Sequence, residues 1–255
     1  MKTQIQKTIT ILLLSSLMIF FYNKIAFSKY DDNEIKKNCY KAYLMSSKSL
    51  WEDLIKKLEN RHKSFPDDIQ LLFELTKVQY GLLYTCLANK DKETYNAYVD
   101  ITKENISKLL EYNEEWSEVH AVMAGIYSIK MGFNPMQGMF LGPKSESHIE
   151  KAIKYDENNP VAWVRKAGSK FFTPEMFGGS ITEAIKFYEK AVKLFEKDEK
   201  NTIMNWEYLD ALVWLGISYQ KVNNKEKAIA TFKKALSIEP NFNWVKYRLL
   251  PEAEK

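Results

Sequence analysis

Glycine and proline are scarce in this chain, nine and seven among 255 residues. Long stretches are therefore free to stay helical, and Lys, Glu, Ala and Leu recurring at spacings of three and four agree with that. With 45% hydrophobic and 27% charged residues, there is enough apolar material for a substantial folded body, which argues against disorder. Local signatures of chemistry are missing too. There is no His-Glu-x-x-His, no Gly-x-Ser-x-Gly, no phosphate loop closing on Gly-Lys-Ser/Thr and no alternating acidic calcium loop. The three histidines, His62, His120 and His148, are far apart in sequence and are expected as separate surface or capping residues rather than metal ligands. The acidic pairs Asp67-Asp68 and Glu114-Glu115 stand at helix beginnings, where carboxylates meet the positive end of the dipole. The expectation is a non-enzyme with no cofactor and no metal.

The first 28 residues are set apart from the fold. Lys2 and Lys7 give a positive start, Thr8 to Tyr22 is apolar apart from Thr and Ser, and Ala26-Phe27-Ser28 offers small residues at alternate positions. That is the pattern of a secretory signal peptide, residues 1–28, followed by a folded domain at 29–255. The apolar run falls short of the roughly 20 residues that span a bilayer, so membrane contact is expected only through this segment if it stays uncleaved. Residues 1–28 carry Lys2, Lys7 and Lys24 and no acid, so of 37 basic residues 34 remain against 33 acids, a net charge of +1. So balanced a charge gives no basis for neutralising phosphates, and nucleic acid is not an expected partner.

What the chain does have is a repeat. In "LVWLGISYQKVNNKEKAIATFKKALSIEP", counted from Leu209 as position 1, Leu215 and Gly216 take positions 7 and 8, Tyr219 11, Ala228 20, Phe232 24, Ala235 27 and Pro240 32. Gly216 and Ala228 are small, so two helices can approach closely, while Tyr219 and Phe232 fill the space beside that contact. Asn223-Asn224 supplies the turn and Pro240 the stop. On these positions the chain resembles the tetratricopeptide repeat (TPR) family, whose repeat is about 34 residues, with Leu212 where the signature has Trp. The pattern recurs more faintly from Ile35, Ile69, Glu118 and Val161, giving about five helical hairpins. The fold expected is all-α, a right-handed solenoid of antiparallel helix hairpins closed by a short C-terminal capping helix in "NFNWVKYRLLPEAEK".

Two hairpins carry insertions. Ala184, Tyr188 and Ala191 arrive four residues late and Ala152 eight late, which places "FNPMQGMFLGP" and "FFTPEMFGGS" between first and second helices, side by side on one edge. Pro135 and Pro174 end the preceding helices, and Ser147-x-x-Glu150 and Ser180-x-x-Glu183 are read as capping boxes that restart the next. The order "MQGMFLGPKS", "NNPVAW", "FFTPEMFGGS" over roughly residues 120–195 is similar to a branch of exported bacterial TPR proteins with no assigned enzymatic activity. That resemblance implies export, to the periplasm or beyond the cell. Phe133, Met136, Met139, Phe140, Phe172, Met176 and Phe177 are then either an adaptable contact patch or plugs that fold back between the hairpins. The plug is expected, because exposed apolar loops invite aggregation.

In the TPR family, positions 2, 5, 9 and 12 of each first helix line the concave face. Carried over, this marks Phe73, Lys77, Tyr80, Val122, Ile126, Ile129, Arg165 and Phe172 as a candidate partner-binding groove, with Cys39, Tyr43 and Asp210 on the same face. Cys39 and Cys86 fall at different heights of neighbouring helices, about 20 Å apart at 1.5 Å per residue, so two buried free thiols are expected rather than a disulfide. The charges of the groove are scattered and its middle apolar, which disfavours a clamp for a peptide carboxylate and favours an extended or helical apolar segment. The resulting functional reading is an exported, non-catalytic scaffold for protein–protein contact in the bacterial envelope. The alternative is a helical receptor that encloses a small apolar ligand for a membrane transporter, resembling solute-transport TPR partners. A groove narrowed by its own aromatic side chains remains open as well.

Overall fold

The computed structural model describes residues 32–255, and among these every regular element is helical. The expected export signal, residues 1–28, lies outside the described residues. Contacts divide the chain at Ile35 into two units. Of the first, Met1–Ile35, the described part is the start of one helix; the second is Lys36–Lys255. Eleven helices run through the described residues as consecutive pairs: α1 (Asp32–Leu44) and α2 (Lys48–Ser64), α3 (Ile69–Asn89) and α4 (Lys92–Tyr112), α5 (Ser117–Phe133) and α6 (Gly138–Tyr155), α7 (Pro160–Phe172) and α8 (Ile181–Phe195), α9 (Trp206–Lys221) and α10 (Lys225–Ile238), then α11 (Leu250–Glu254). No helix of the described residues is long and apolar enough to cross a membrane.

The ends of these helices follow from short polar side chains. Ser47, Asp68, Asp91, Asn159, Ser180, Asn205 and Asn224 each accept a hydrogen bond from a backbone N–H of the first turn they precede. Such a cap contributes about 1 kcal/mol. The Ser180–Glu183 box is therefore formed on the serine side, Ser180 Oγ accepting from the Glu183 N–H at 3.2 Å. The Ser147–Glu150 box is not formed. Helix α6 begins nine residues earlier, at Gly138, and carries Pro143 within it. Most of the eight-residue insertion is thus added helix, held by buried Leu141 and by Ser145, whose hydroxyl donates to the Ala124 carbonyl at 3.1 Å.

Successive helices pack in pairs, α3 on α4, α5 on α6, α7 on α8 and α9 on α10, and first helices pack on first helices, α3 on α5 and α5 on α7. In the last pair the small residue is a requirement: a Cβ at Gly216 would stand 2.4 Å from the ring of Phe232. Phe232, Ala228 and Ala235 have no exposed surface, and burying a ring such as Phe232 contributes up to about 3 kcal/mol. Phe242, Val245, Leu249 and Ala253 extend this core past α10, and α11 packs on α10, so the C-terminal segment caps the last pair as expected. Cys39 and Cys86 are both free and buried, and burial pushes each thiol up to about 12.

Candidate docking surface

Helix α9 reads "WEYLDALVWLGISYQK", with Trp206, Asp210 and Trp214 at successive spacings of four, hence on one face. That face turns to the interior of the unit. The Trp206 ring lies 5.3 Å from Tyr43 of α1, 6.1 Å from Trp51 of α2, and 6.2 and 5.7 Å from Tyr80 and Tyr84 of α3. The Tyr43 and Tyr84 hydroxyls both donate to Asp210 Oδ1, each at 2.8 Å, and the Trp214 N–H donates to the Tyr84 oxygen at 3.1 Å. Beside them the Arg165 side chain, 9% exposed, donates to Glu207 at 2.9 Å and to the Ala121 carbonyl at 3.3 Å, with its guanidinium 4.7 Å from the Tyr80 ring centre. Burial pushes the Asp210 carboxyl up to about 6, against the two tyrosine hydrogen bonds and Arg165, which act to lower it. Burial, with the Asp210 charge beside them, holds the Tyr43 and Tyr84 hydroxyls well above the ordinary phenol value.

The inner face is therefore filled by its own side chains. Of the expected groove residues, Phe73, Tyr80, Val122, Ile126 and Ile129 are buried. Phe73 packs on Trp116 at 4.8 Å, and the Lys77 ammonium, paired to Glu74 at 2.7 Å, stands 4.8 Å from the Phe73 ring centre. Only Phe172 is exposed. The reason is the aromatic content of these positions: helices that elsewhere could leave a channel here bring Tyr43, Tyr80, Tyr84 and Trp206 into contact. Trp206, Glu207 and Tyr84 were not among the sequence-marked residues. The signal that could have found them is the acid Asp210 in the apolar middle of a helix, flanked at four residues by tryptophans, since a buried carboxylate demands donors.

The histidines depart from expectation as well. His120 and His148 are partners across α5 and α6, with their Nδ1 atoms 2.8 Å apart, and His120 Nε2 lies 2.8 Å from the Glu114 carbonyl. A carbonyl oxygen only accepts, so neutral His120 carries its proton on Nε2 and takes the His148 Nδ1–H on its bare Nδ1. Burial, the neighbouring imidazole and Lys151 lower His148 to about 4; burial foremost also lowers His120.

The two inserted segments stand in the opposite condition. At the first, Pro135 ends α5 and a 3-10 turn, Pro135–Gln137, leads straight into α6. At the second, α7 ends at Phe172, Glu175–Phe177 form a 3-10 turn, and Gly178 takes φ +91°. A Cβ on Gly179 would sit 1.7 Å from the Thr173 carbonyl oxygen, so only glycine closes this turn. Bonds from Gly179 N–H to the Pro174 carbonyl at 3.1 Å, Ser180 N–H to the Lys170 carbonyl at 2.9 Å and Lys170 Nζ to the Gly178 carbonyl at 3.1 Å hold it rigid.

On these two turns and the helix ends that flank them, Met136, Met139, Phe140, Phe172, Met176 and Phe177 are exposed, which overturns the plug. The three-residue turns are too short to return Met136, Met176 and Phe177 to the core, and the inward positions of the flanking helices are already taken by Leu141, Ile149 and Ala152 in α6 and by Ala184 and Tyr188 in α8. Phe133 alone turns inward, 4.6 Å from Tyr95 of α4. Phe172 joins the patch to the interior through Trp214, 5.0 Å away. Both turns link a first helix to a second, and Glu146 of α6 meets Lys166 and Ser169 of α7, so the two tips are neighbours on one edge.

An open cleft of about 600 Å³ lies elsewhere, bordered by Tyr40, Ile203, Met204, Tyr208 and Ile238. Of its three acids, Glu196, Glu199 and Glu239, the first is engaged by the Tyr208 hydroxyl at 2.7 Å and by Lys234 at 2.6 Å. Among the described residues no group of three or more His, Cys, Asp or Glu could hold a metal ion.

Comparison with known proteins agrees with the helical-repeat geometry. A stretch of 96 residues is 31% identical to Tetratricopeptide repeat protein 1 of Schizosaccharomyces pombe, covering 36% of this chain and only 8% of that protein's length. Two solved structures share the fold: the HusA haemophore from Porphyromonas gingivalis, with TM-score 0.60, 18% identity and coverage of 76% of this chain and 94% of that one, and a thermophilic TPR protein of Thermus thermophilus, with TM-score 0.58, 15% identity and coverage of 86% and 98%. The chain thus has a TPR-like helical-repeat fold. A family model described as "Regulator of microtubule dynamics protein 1-3" matches residues 35–246, and the chain belongs to that family.

Proposed function

We propose that this protein is an exported, non-catalytic scaffold of the bacterial envelope that docks another polypeptide on the paired tips of α5/α6 and α7/α8. The observation that carries the reading is the contrast in exposure: the aromatic side chains of the inner face are buried or half-buried against one another, while six Met and Phe side chains on and beside the two turns are exposed. Flexible Met and flat Phe side chains on a fixed backbone make an adaptable contact surface whose ordering cost is already met. Buried Asp210 is engaged by Tyr43 and Tyr84, and Arg165 by Glu207, rather than by an open site, which favours a structural role for them. Because the inner face is occupied by Tyr43, Tyr84 and Trp206, a docking role is favoured over a receptor enclosing a small ligand. Membership in a family described by regulation of microtubule dynamics is in keeping with action through protein contacts.

The test places a photoreactive amino acid at Met176 in the native host. Irradiation is expected to give discrete polypeptide adducts that disappear in the Phe140→Ser, Phe177→Ser double variant; no polypeptide adduct at all sinks the reading. Export is checked separately by the intact mass of the envelope fraction, expected to begin at Lys29, with residues 1–28 still attached as the outcome against it.

A further inference from the structure

The tip patch has a size, a charge pattern and a rigidity that together select an occupant. Its six side chains are 63–88% exposed. Taking roughly 200 Å² for a fully exposed ring of this kind, they present on the order of 900 Å² of apolar surface, against the ~800 Å² per partner of a stable complex. A patch of this size is larger than most monomers leave uncovered.

The charges around it are sparse. Lys166 is engaged by Glu146, and Lys170 by Glu183 at 2.7 Å. Without an ion pair among the described residues stand exposed Lys144 and half-buried Lys130 beside the first tip, and exposed Glu175 on the second. An anionic lipid surface calls for a cluster of basic residues, and two scattered lysines do not make one. A copy of the same patch meets little net repulsion. A two-fold axis would moreover lay the first tip of one copy against the second tip of the other, bringing Lys144 opposite the other copy's Glu175 twice, once on each side of the axis.

We propose that the patch pairs with the same patch of a second copy of this chain, forming a two-fold homodimer in which Met136, Met139 and Phe140 of one copy pack on Phe172, Met176 and Phe177 of the other. The proposal rests on the docking reading above and names its partner. Met against Met and Phe allows interdigitation without strict shape matching, while the locked Gly178-Gly179 turn fixes the second tip before association.

Sedimentation velocity of the purified protein from 1 to 100 µM tests it. The expected result is a reversible dimer, weakened at least tenfold by Phe140→Ser with Phe177→Ser. Lys144→Glu alone and Glu175→Lys alone are each expected to weaken it about tenfold, and the two together to restore it, because only the cross-paired geometry reunites opposite charges. These charge variants lie at exposed positions and keep the fold, so the test survives if the serine variant misfolds. A protein that stays monomeric at 100 µM, a dimer indifferent to the serine changes, or charge variants whose effects merely add overturns the proposal. So does flotation of the monomer with phosphatidylcholine vesicles, which would make lipid the occupant. In the photo-crosslinking experiment an adduct of twice the chain mass supports the dimer; adducts only with other polypeptides overturn the dimer and keep the docking reading, whereas none of any kind overturns both.

Discussion

The inner face and the tips are built from similarly large apolar side chains, yet one is closed and the other open. The difference is the polar handle. On the inner face the rings are mostly Tyr and Trp, and the chain supplies Asp210 to receive Tyr43 and Tyr84, Thr85 to receive Trp51 and the Tyr84 oxygen to receive Trp214. Burial there is specified by hydrogen bonds as well as by area, since a buried hydroxyl without a partner is costly. The tips contain only Met and Phe, which make no such demand and can serve equally as core or as contact surface. Backbone geometry decides for them, through two three-residue turns.

The largest expected effects come from breaking the inner face. Asp210→Ala leaves the Tyr43 and Tyr84 hydroxyls without their acceptor and Arg165 with one fewer nearby acid, so unfolding stability is expected to fall by about 3 kcal/mol or more, read as a lower urea midpoint at unchanged slope. A shift below about 1 kcal/mol would mean that the network is incidental to the packing. Next, Gly216→Leu forces a side chain into the Phe232 ring and is expected to cost about 2–3 kcal/mol; added reductant, with both thiols free, is expected to change nothing. Wild-type stability in Gly216→Leu would show that α9 and α10 do not approach as described.

The repeat was legible because its constraint is local: Gly216, Ala228 and Phe232 meet within one pair of helices, so spacing alone reveals them. The Ser180 cap was legible for the same reason. The start of α6 was not, because "GMFLGP" has loop-like propensity, and it takes the packing of Leu141 and Ser145 on α5 to override it. His120 and His148 are 28 residues apart, and their meeting depends on that same helical insertion, which periodicity does not place. Repeat positions alone predict a groove on the inner face, since position in a repeat says which way a residue faces and not whether aromatic neighbours fill the space. At the tips, the general preference of Met and Phe for burial predicts a plug, and the structure exposes six of the seven side chains.

A smaller effect separates the paired helices by pH. An unfolded histidine takes its proton near 6.5 and His148 only near 4, so between these values the unfolded chain binds more protons and stability falls as the solution is acidified. The groups facing the pair are the Glu114 carbonyl, Lys151, Tyr155 and Tyr127. Asp210 acts in the opposite sense from about 6 down to 3.8, because the folded chain holds that proton first. In His148→Asn the His148 contribution disappears, while those of buried His120 and of Asp210 stay. Subtracting the two denaturation profiles is expected to leave a loss on the order of 1–2 kcal/mol for the wild type between pH 6.5 and 4, allowing for solvent screening of a half-buried ring. Parallel profiles would show that the pair does not titrate as placed.

The smallest expected effect on stability is the one that most sharpens the comparison. Phe140 and Phe177 stand 75% and 65% exposed, so replacing either with Ser removes little buried area and opens no cavity. Melting under dilute conditions is expected to move by no more than about 0.5 kcal/mol per site, as for ordinary surface changes. Phe172 is the informative neighbour: its ring meets both Phe171 and Trp214, and Trp214 donates to Tyr84, so Phe172→Ser reaches the edge of the satisfied network. It is expected to cost about 1 kcal/mol, between the open tips and the closed interior. A graded series, with Phe140 and Phe177 near zero, Phe172 intermediate and the Asp210 network largest, follows only if the interior ends at Trp214 and the contact surface begins at Phe172. Equal losses at all three phenylalanines would return the tips to the core, and dimer or partner contacts would then have to be sought elsewhere.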